Sequence, residues 1–411
     1  MKKILTLLLV LGLLAGCSKE DGPAPDLTGE QTLILYFPYS GLAGNIINNL
    51  DELHEVWNGK IPRGYRILVY LSTYDKGHAD LFDLTQWDQA QNKPTQSIET
   101  YADPDFKTAD GIAQVLIDAK TEAPAKRYAM VIGCHGMGWI PAPVQQGKGV
   151  LRQSQAAPQY KLHWDYTDEN GNPLARYFGS GGVNYSLTHT DVTTLADALA
   201  MAGMKMEYLL FDVCYMANIE TVYALRQVAD NLIASVSEIP AHGFPYKQMG
   251  HHLLGNPDYV AICQAFGDFY KNYSSRPHAT ISLTKSSELD ALAAIVKQIY
   301  ADKGNVAVSF DAMQHYDKAD YPYYFGYKTY HMFYDLSDYI HRLCTNQVLL
   351  DAFDAQLKKA VPENCLQHTP RGIAGSYTFP ITSYSGMTTS DLLDEETCRD
   401  ITSTEWWQAT H

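Results

Sequence analysis

The strongest constraint on the fold is an alternation of apolar strands with helices between residues 32 and 239. Continuously apolar runs predict buried strands at 32–40, 65–73, 127–136, 206–216 and 231–239. Helical spacing of apolar residues predicts helices between them, at 44–57, 108–122, 191–203 and 217–230. Buried strands that alternate with helices indicate an α/β fold with a mostly parallel sheet covered on both faces.

Capping and helix-terminating residues support several of these helix boundaries. Thr108 is placed to cap one helix, and Asp191 and Gly203 to cap and stop another. After residue 255 the pattern is mainly helical, at 258–273, 287–302 and 333–361, and GIAGSYTFPI predicts one more strand. We expect a core over 30–310 and a C-terminal subdomain over 311–411 that packs on it.

The N-terminus has the features of a secretory signal. Lys2 and Lys3 precede an apolar run that is too short to span a membrane. The ending Leu-Ala-Gly-Cys resembles a bacterial lipobox, which implies a signal peptide over 1–16, a tether over 17–29 and acyl chains on Cys17. Ordinary secretion with a coincidental cysteine is the alternative. Lipidation would place the protein outside the cytoplasm, with Ser18 and the acidic residues after it favouring the outer membrane or cell surface.

Charge and cysteine content exclude some functions. The chain has 46 acidic and 31 basic residues and a formal net charge of −15, with no basic stripe, so nucleic acid is not an expected partner. The seven cysteines include no CxxC pair and form no dense framework, which argues against a zinc site or a disulfide scaffold. Whether any of four later cysteines form pairs stays open: Cys263, Cys344, Cys365 and Cys398.

Two reactive side chains stand at the ends of predicted strands. His135 lies in CHGMGW and Cys214 in FDVCYM, and parallel strands bring their C-terminal ends to one sheet edge. A histidine beside a cysteine suits nucleophilic acyl chemistry, because the imidazole takes the thiol proton. The alternative is that both are packed core residues. Cys134 is a competing thiol, but strand alternation points it to the opposite face, so we interpret it as core.

Longer motifs connect these residues to a known family. GCHGMGW and FDVCYMANIETVYAL closely resemble the clostripain family of cysteine peptidases, in which an HGxGW motif carries the base and a DxCxM motif the nucleophile. SVSEIPAHGFPY (235–246), YDLSDYI (334–340), GSYTFP (375–380) and TEWW (404–407) resemble later family elements. The resemblance covers roughly residues 30–410.

The resemblance implies a fold and a set of roles. The fold would be a caspase-like three-layer sandwich, and the reaction peptide-bond hydrolysis by a Cys–His dyad. His135 matches the base and Cys214 the nucleophile, with the backbone N–H groups of Gly136 and Cys214 as the oxyanion hole. Asp212 matches the S1 acid that selects Arg or Lys before the cut; capping of the next helix is its alternative role.

The segment 139–188 interrupts the alternation and is long for a loop in a compact domain. Several family members cut themselves after a basic residue here, so the resemblance implies autocleavage after Lys148, or alternatively Arg152. An exposed loop with scattered charges is the other interpretation. Some members need calcium, and the acidic run DYTDEN could bind Ca²⁺, but its spacing is not that of an EF-hand loop and a solvated turn is the alternative. No cofactor is otherwise required.

We therefore expect a lipid-anchored, extracytoplasmic cysteine endopeptidase that acts on protein or peptide substrates with a basic residue before the cut. The alternative from a different class is a catalytically silent surface lipoprotein that binds peptides or glycans through the same fold.

Overall fold

The computed structural model describes residues 28–38, 43–72, 77–102, 104–106, 108–140, 190–273, 276–304, 306, 308–309, 312–318, 331–391 and 399–411. Cys17, Cys398, Lys148, Arg152 and the acidic run 165–170 lie outside these residues. Within the described part of the chain, no helix is long and apolar enough to cross a membrane.

The core of the molecule is a nine-stranded mixed sheet. The described strands are β1 (Gly29–Phe37), β2 (Tyr65–Ser72), β3 (His78–Asp83), β4 (Trp87–Asp88), β5 (Lys93–Pro94), β6 (Glu99–Ala102), β7 (Ala125–Gly133), β8 (Met206–Asp212), β9 (Asn231–Ala234), β10 (Thr280–Lys285), β11 (Tyr334–Asp335), β12 (Gln367–His368), β13 (Arg371–Ala374), β14 (Tyr377–Pro380) and β15 (Thr388–Thr389). The large sheet has the order β12-β10-β9-β8-β7-β1-β2-β3-β6.

The five central strands, β9-β8-β7-β1-β2, are parallel, and antiparallel strands extend the sheet at both sides. The described helices are α1 (Ala43–Trp57), α2 (Ala109–Glu122), α3 (Val192–Met201), α4 (Ile219–Leu225), α5 (Tyr246–Met249), α6 (Tyr259–Lys271), α7 (Leu289–Asp302), α8 (Leu336–Leu343), α9 (Gln347–Ala360) and α10 (Glu405–Thr410).

The helices form two packed groups. One group contains α1, α5 and α6, and the other contains α2, α3, α4, α7, α9 and α10. The central strands are buried along most of their length because both faces are covered; in β1, every residue from Gln31 to Phe37 is buried. This three-layer arrangement with a mostly parallel sheet and a helical C-terminal region confirms the predicted fold class.

Several element boundaries differ from the sequence predictions. The strand predicted over 206–216 ends at Asp212, because the chain turns sharply after it. The helix predicted over 217–230 is only Ile219–Leu225, because backbone groups of Val228 and Asp230 bond to Met206 at the start of β8 instead of continuing the helix. The predicted strand 231–239 likewise stops at Ala234.

The C-terminal third also departs from a purely helical pattern. The helix predicted over 333–361 is two helices, whose starts are capped by the side chains of Asp335 and Asn346. GIAGSYTFPI is a hairpin of β13 and β14 rather than one strand. The strands β10 and β12 were not predicted, and the side chain of Asp191, which precedes α3, makes no capping hydrogen bond with that helix.

Candidate active site

Two neighbouring turns form the candidate site at the C-terminal edge of the sheet. β7 and β8 are adjacent and parallel, and Gly133 pairs in register with Asp212. His135 follows Gly133 by two residues, and Cys214 follows Asp212 by two. Adjacent strands lie about 4.8 Å apart, so the register alone brings the two side chains to one edge.

The turn of Cys214 is a loop and not a helix start. α4 begins at Ile219, and its cap is Asn218, whose side chain accepts a hydrogen bond from the Thr221 N–H. The alternative role of Asp212 as a cap of the next helix is therefore wrong, and Cys214 lies in the loop before this helix. Both residues are fully buried, and His135 is 2% exposed.

The residue after Cys214 has a strained backbone. Tyr215 has φ = 58°, in the left-handed region that non-glycine residues rarely adopt. Its N–H donates to the Ser237 carbonyl at 3.1 Å, and its ring stacks on Phe333 with 4.8 Å between centroids. Such strain persists only where neighbouring contacts hold it, and it concentrates at functional sites. The surrounding packing thus fixes the direction in which Cys214 is presented.

The segment 235–239 supports the cysteine from the other side. The Ile239 N–H donates to Cys214 Sγ at 3.2 Å, a contact that favours negative charge on the sulfur. Ser235 and Ser237 share hydrogen bonds with the Thr280 hydroxyl at 2.7 and 3.0 Å, which fix this segment on β10. These serines and Thr280 had no predicted role.

Glu238 connects the strained turn to the C-terminal hairpin. Its Oε1 accepts from the Tyr215 hydroxyl at 3.3 Å, and its Oε2 accepts from the Gly375 N–H at 2.6 Å. The carboxylate is 1% exposed, so these contacts stand in for water. The motif around Glu238 was recognised in the sequence, but its structural role depends on a hairpin 137 residues further on.

Asp212 has a defined partner. The hydroxyl of Tyr246, itself fully buried, donates to Asp212 Oδ2 at 3.0 Å. The segment 239–246 therefore contacts both residues: Ile239 binds the sulfur of Cys214, and Tyr246 binds the carboxylate of Asp212. A buried carboxylate two residues before the cysteine is thus part of the same edge.

The loop after His135 is held against the cysteine turn by close packing. Gly138 has φ = 60°. A Cβ there would overlap the side-chain amide of Asn218 and lie 2.8 Å from the Tyr215 carbonyl oxygen. Trp139 is buried, and its Nε1 donates to Ser390 Oγ at 2.8 Å. Gly136 lies in this loop and is buried; its part in an oxyanion hole stays a prediction.

Cys134 is fully buried, and its thiol donates to the His135 carbonyl at 3.3 Å, which agrees with its interpretation as a core residue. The described residues contain no cluster of three or more His, Cys, Asp or Glu side chains that could hold a metal ion. The acidic run that could bind Ca²⁺ and the predicted cleavage positions lie outside the described residues. The acidic run consists of Asp165, Asp168, Glu169 and Asn170.

The close approach at Gly138 yields a stability prediction. Gly138→Ala combines a positive φ, which costs about 1–2 kcal/mol for an L-residue, with a steric overlap. Gly59→Ala is the matched control, because φ is 66° there and no described atom beyond Gly59 and its chain neighbours lies within 4 Å of the added Cβ. Thermal unfolding should show a clearly larger loss for Gly138→Ala. Equal losses for the two variants would contradict this packing.

Comparisons with known proteins find similarity to one family of proteases. The model of the clostripain family matches residues 166–364, a span that contains Cys214 but not His135. Comparison with curated proteins finds no match. A secreted C11 cysteine protease from Bacteroides thetaiotaomicron, iotapain, is 35% identical, with a TM-score of 0.74, and the alignment covers 93% of this chain and 100% of that one.

Two further solved structures are similar. An inactive zymogen C11 protease from Parabacteroides distasonis is 25% identical, with a TM-score of 0.70, over 95% of this chain and 99% of its own. A clostripain from Bacteroides thetaiotaomicron ATCC 29148, solved with the peptide inhibitor BTN-VLTK-AOMK, is 38% identical, with a TM-score of 0.50, over 57% of this chain and 99% of its own. The chain therefore belongs to the clostripain family of cysteine proteases, with their caspase-like fold.

Proposed function

We propose that this protein is an extracytoplasmic, lipid-anchored cysteine endopeptidase that cleaves after Arg or Lys, with Cys214 as nucleophile and His135 as base. The observation that carries the proposal is the register of β7 and β8. It places the two turns side by side at the edge where parallel sheets bind ligands.

The proposed mechanism uses groups that lie at this edge. His135 takes the proton from Cys214 Sγ, and the thiolate attacks the carbonyl carbon of the substrate. The backbone N–H groups of Gly136 and Cys214 hold the oxyanion, and His135 then gives its proton to the leaving amine. Water hydrolyses the thioester, with His135 again as base. The Ile239 N–H favours the charged form of the sulfur before attack.

A screen of fluorogenic peptides with Arg, Lys, Asp or Phe before the reporter tests the activity. The wild-type chain should turn over the Arg and Lys peptides, and Cys214→Ala and His135→Ala should lose at least about 10³-fold in kcat/KM. Circular dichroism should show that both variants are folded. No turnover by the wild-type chain, even after nicking by trypsin, would contradict the proposal and favour a peptide- or glycan-binding lipoprotein.

Asp212 is the proposed acid of the S1 pocket. It is buried beside the nucleophile, and its Oδ2 already accepts one hydrogen bond, from Tyr246. A guanidinium or ammonium that enters next to it would form a charge-assisted pair in a site that excludes water. The similar clostripain structure holds a peptide inhibitor whose sequence ends in Lys, which supports a basic preference.

Asp212→Asn should lower kcat/KM for Arg and Lys peptides by about thirtyfold or more, the equivalent of about 2 kcal/mol for a lost buried charge pair. Tyr246→Phe is the matched control, because it removes the hydroxyl at Asp212 and keeps the carboxylate charge. It should retain the preference for basic residues. Unchanged cleavage after Arg by Asp212→Asn would show that another group selects the substrate.

The proposed enzyme is made as a precursor that cuts itself after Lys148, or alternatively after Arg152. The support is the burial of Cys214 and His135, because a substrate carbonyl cannot reach a sulfur with no exposed surface. A similar protein was solved as an inactive zymogen.

The proposed anchor is acylated Cys17, after removal of residues 1–16. The lipobox-like sequence supports it, and a similar protease is described as secreted.

Mass spectrometry of the protein purified from membranes tests both processing proposals. The wild-type chain should give fragments that end at Lys148 or Arg152 and an N-terminal peptide that carries acyl chains on Cys17. Cys214→Ala should keep the acyl chains and remain uncut. The same cut in Cys214→Ala would rule out self-cleavage, and an unmodified Cys17 would rule out the anchor.

A further inference from the structure

A pair of buried carboxyl groups lies behind the candidate active site. Glu220 is in the first turn of α4, six residues after Cys214, and is 1% exposed. Asp391 follows β15 and is 4% exposed. We call these two residues the acidic pair. The proposed mechanism uses neither of them.

Among the described residues, only one of the two carboxyl oxygens of Glu220 has hydrogen-bond partners. Its Oε1 accepts from the Thr389 hydroxyl at 2.8 Å and from the Ser390 N–H at 2.7 Å. Its Oε2 is buried and has no hydrogen-bond partner among the described residues. A carboxylate with one bare buried oxygen is costly, whereas a carboxylic acid with a proton there carries no charge to desolvate.

The segment that Glu220 holds connects the two catalytic turns. The Thr388 N–H donates to the Ala217 carbonyl at 3.0 Å, which fixes the chain after Cys214. Ser390 Oγ accepts from Trp139 Nε1 at 2.8 Å, which fixes the loop after His135. Glu220 binds Thr389 and Ser390 of this segment. Displacement of this short segment would therefore move both turns.

Asp391 anchors the same segment to the C-terminal helices. Its Oδ2 accepts from the Tyr300 hydroxyl at 2.6 Å and from Trp406 Nε1 at 3.3 Å. The titratable and charged groups that face the acidic pair from the neighbouring elements are Tyr300 and Lys303 from the end of α7, Tyr339 from α8 and His411 after α10.

We infer that Glu220, in its neutral protonated form, is a positioning residue that keeps the turns of Cys214 and His135 in register through residues 388–390. The inference rests on the proposed Cys–His function.

The electrostatics of the acidic pair agree with a neutral Glu220. Burial, and next the charge of Asp391, raise the pKa of Glu220 to about 8. Burial raises the pKa of Asp391 to about 6, while the hydrogen bonds from Tyr300 and Trp406 act to lower it. Asp391 therefore ionises first as the pH rises. Glu220 keeps its proton until about pH 8, above which two negative charges would be buried together.

The same shifts set the direction of the pH dependence of stability. The unfolded chain releases the Glu220 proton near its ordinary value of 4.5, and the folded chain only near 8. The folded state thus binds more protons in this window, and stability falls as the pH rises through it. Asp391 acts the same way, up to about pH 6. Above pH 6, the part of the fall that the acidic pair contributes comes from Glu220.

Two variants test the inference with the fluorogenic Arg peptide. Glu220→Ala should lower kcat by about 10- to 100-fold with little change in KM, because catalysis is sensitive to small misplacements. Glu220→Gln reproduces the neutral acid and should restore most of the loss at pH 7. It should also move the alkaline decline of kcat to higher pH. Glu405→Ala, which removes an exposed partner of Arg226, is the control and should resemble the wild type.

Thermal unfolding between pH 6 and 9 separates the possible failures. The Tm of the wild type should fall by about 4 °C or more over this range, and that of Glu220→Gln clearly less. Parallel Tm curves, or equal kcat losses for Glu220→Gln and Glu220→Ala at every pH, would overturn the inference while the protease activity stands. A wild-type chain no more active than Cys214→Ala would instead refute the proposed function, and the positioning role would fall with it.

Discussion

The pairing of β7 with β8 is the interaction on which the candidate site depends. Hydrogen bonds between these parallel strands run to Gly133 and Asp212, and both chains leave the sheet there. His135 and Cys214 are each two residues beyond that last pair. A register shift of one residue would turn one of the two side chains to the opposite face of the sheet. Strand pairing in the sheet therefore sets the geometry of the proposed dyad.

Buried polar contacts then hold the two turns, which no longer have strand partners. Ser235 and Ser237 bind Thr280 and keep Ile239 against the cysteine sulfur, and Glu238 fastens the strained Tyr215. On the other side, the segment around Ser390 bridges the two turns. In a site without bulk water, each of these groups needs its partner, because an unsatisfied buried donor or acceptor costs about 1–3 kcal/mol. The C-terminal third of the chain thus supports the edge built by the first two thirds.

The sequence predicted the parts of this arrangement that local pattern controls. The central parallel strands are continuously apolar, and the C-terminal edge follows from their connection through helices. It did not predict β10, whose residues alternate threonine and serine with apolar side chains, or the short α4, whose end depends on pairing between Asp230 and Met206. The role of Glu220 was also beyond local pattern, because the Ser390 N–H that it binds is 170 residues away.

The identity of the nucleophile is the central claim, and covalent labelling tests it most directly. The processed protein is treated with a Lys-containing peptidyl acyloxymethyl ketone, digested, and examined by peptide mass spectrometry. We expect one adduct, on Cys214, which is lost in His135→Ala and in Cys214→Ala. An adduct on Cys134, or labelling of Cys214 that is unaffected by His135→Ala, would contradict a Cys214–His135 dyad.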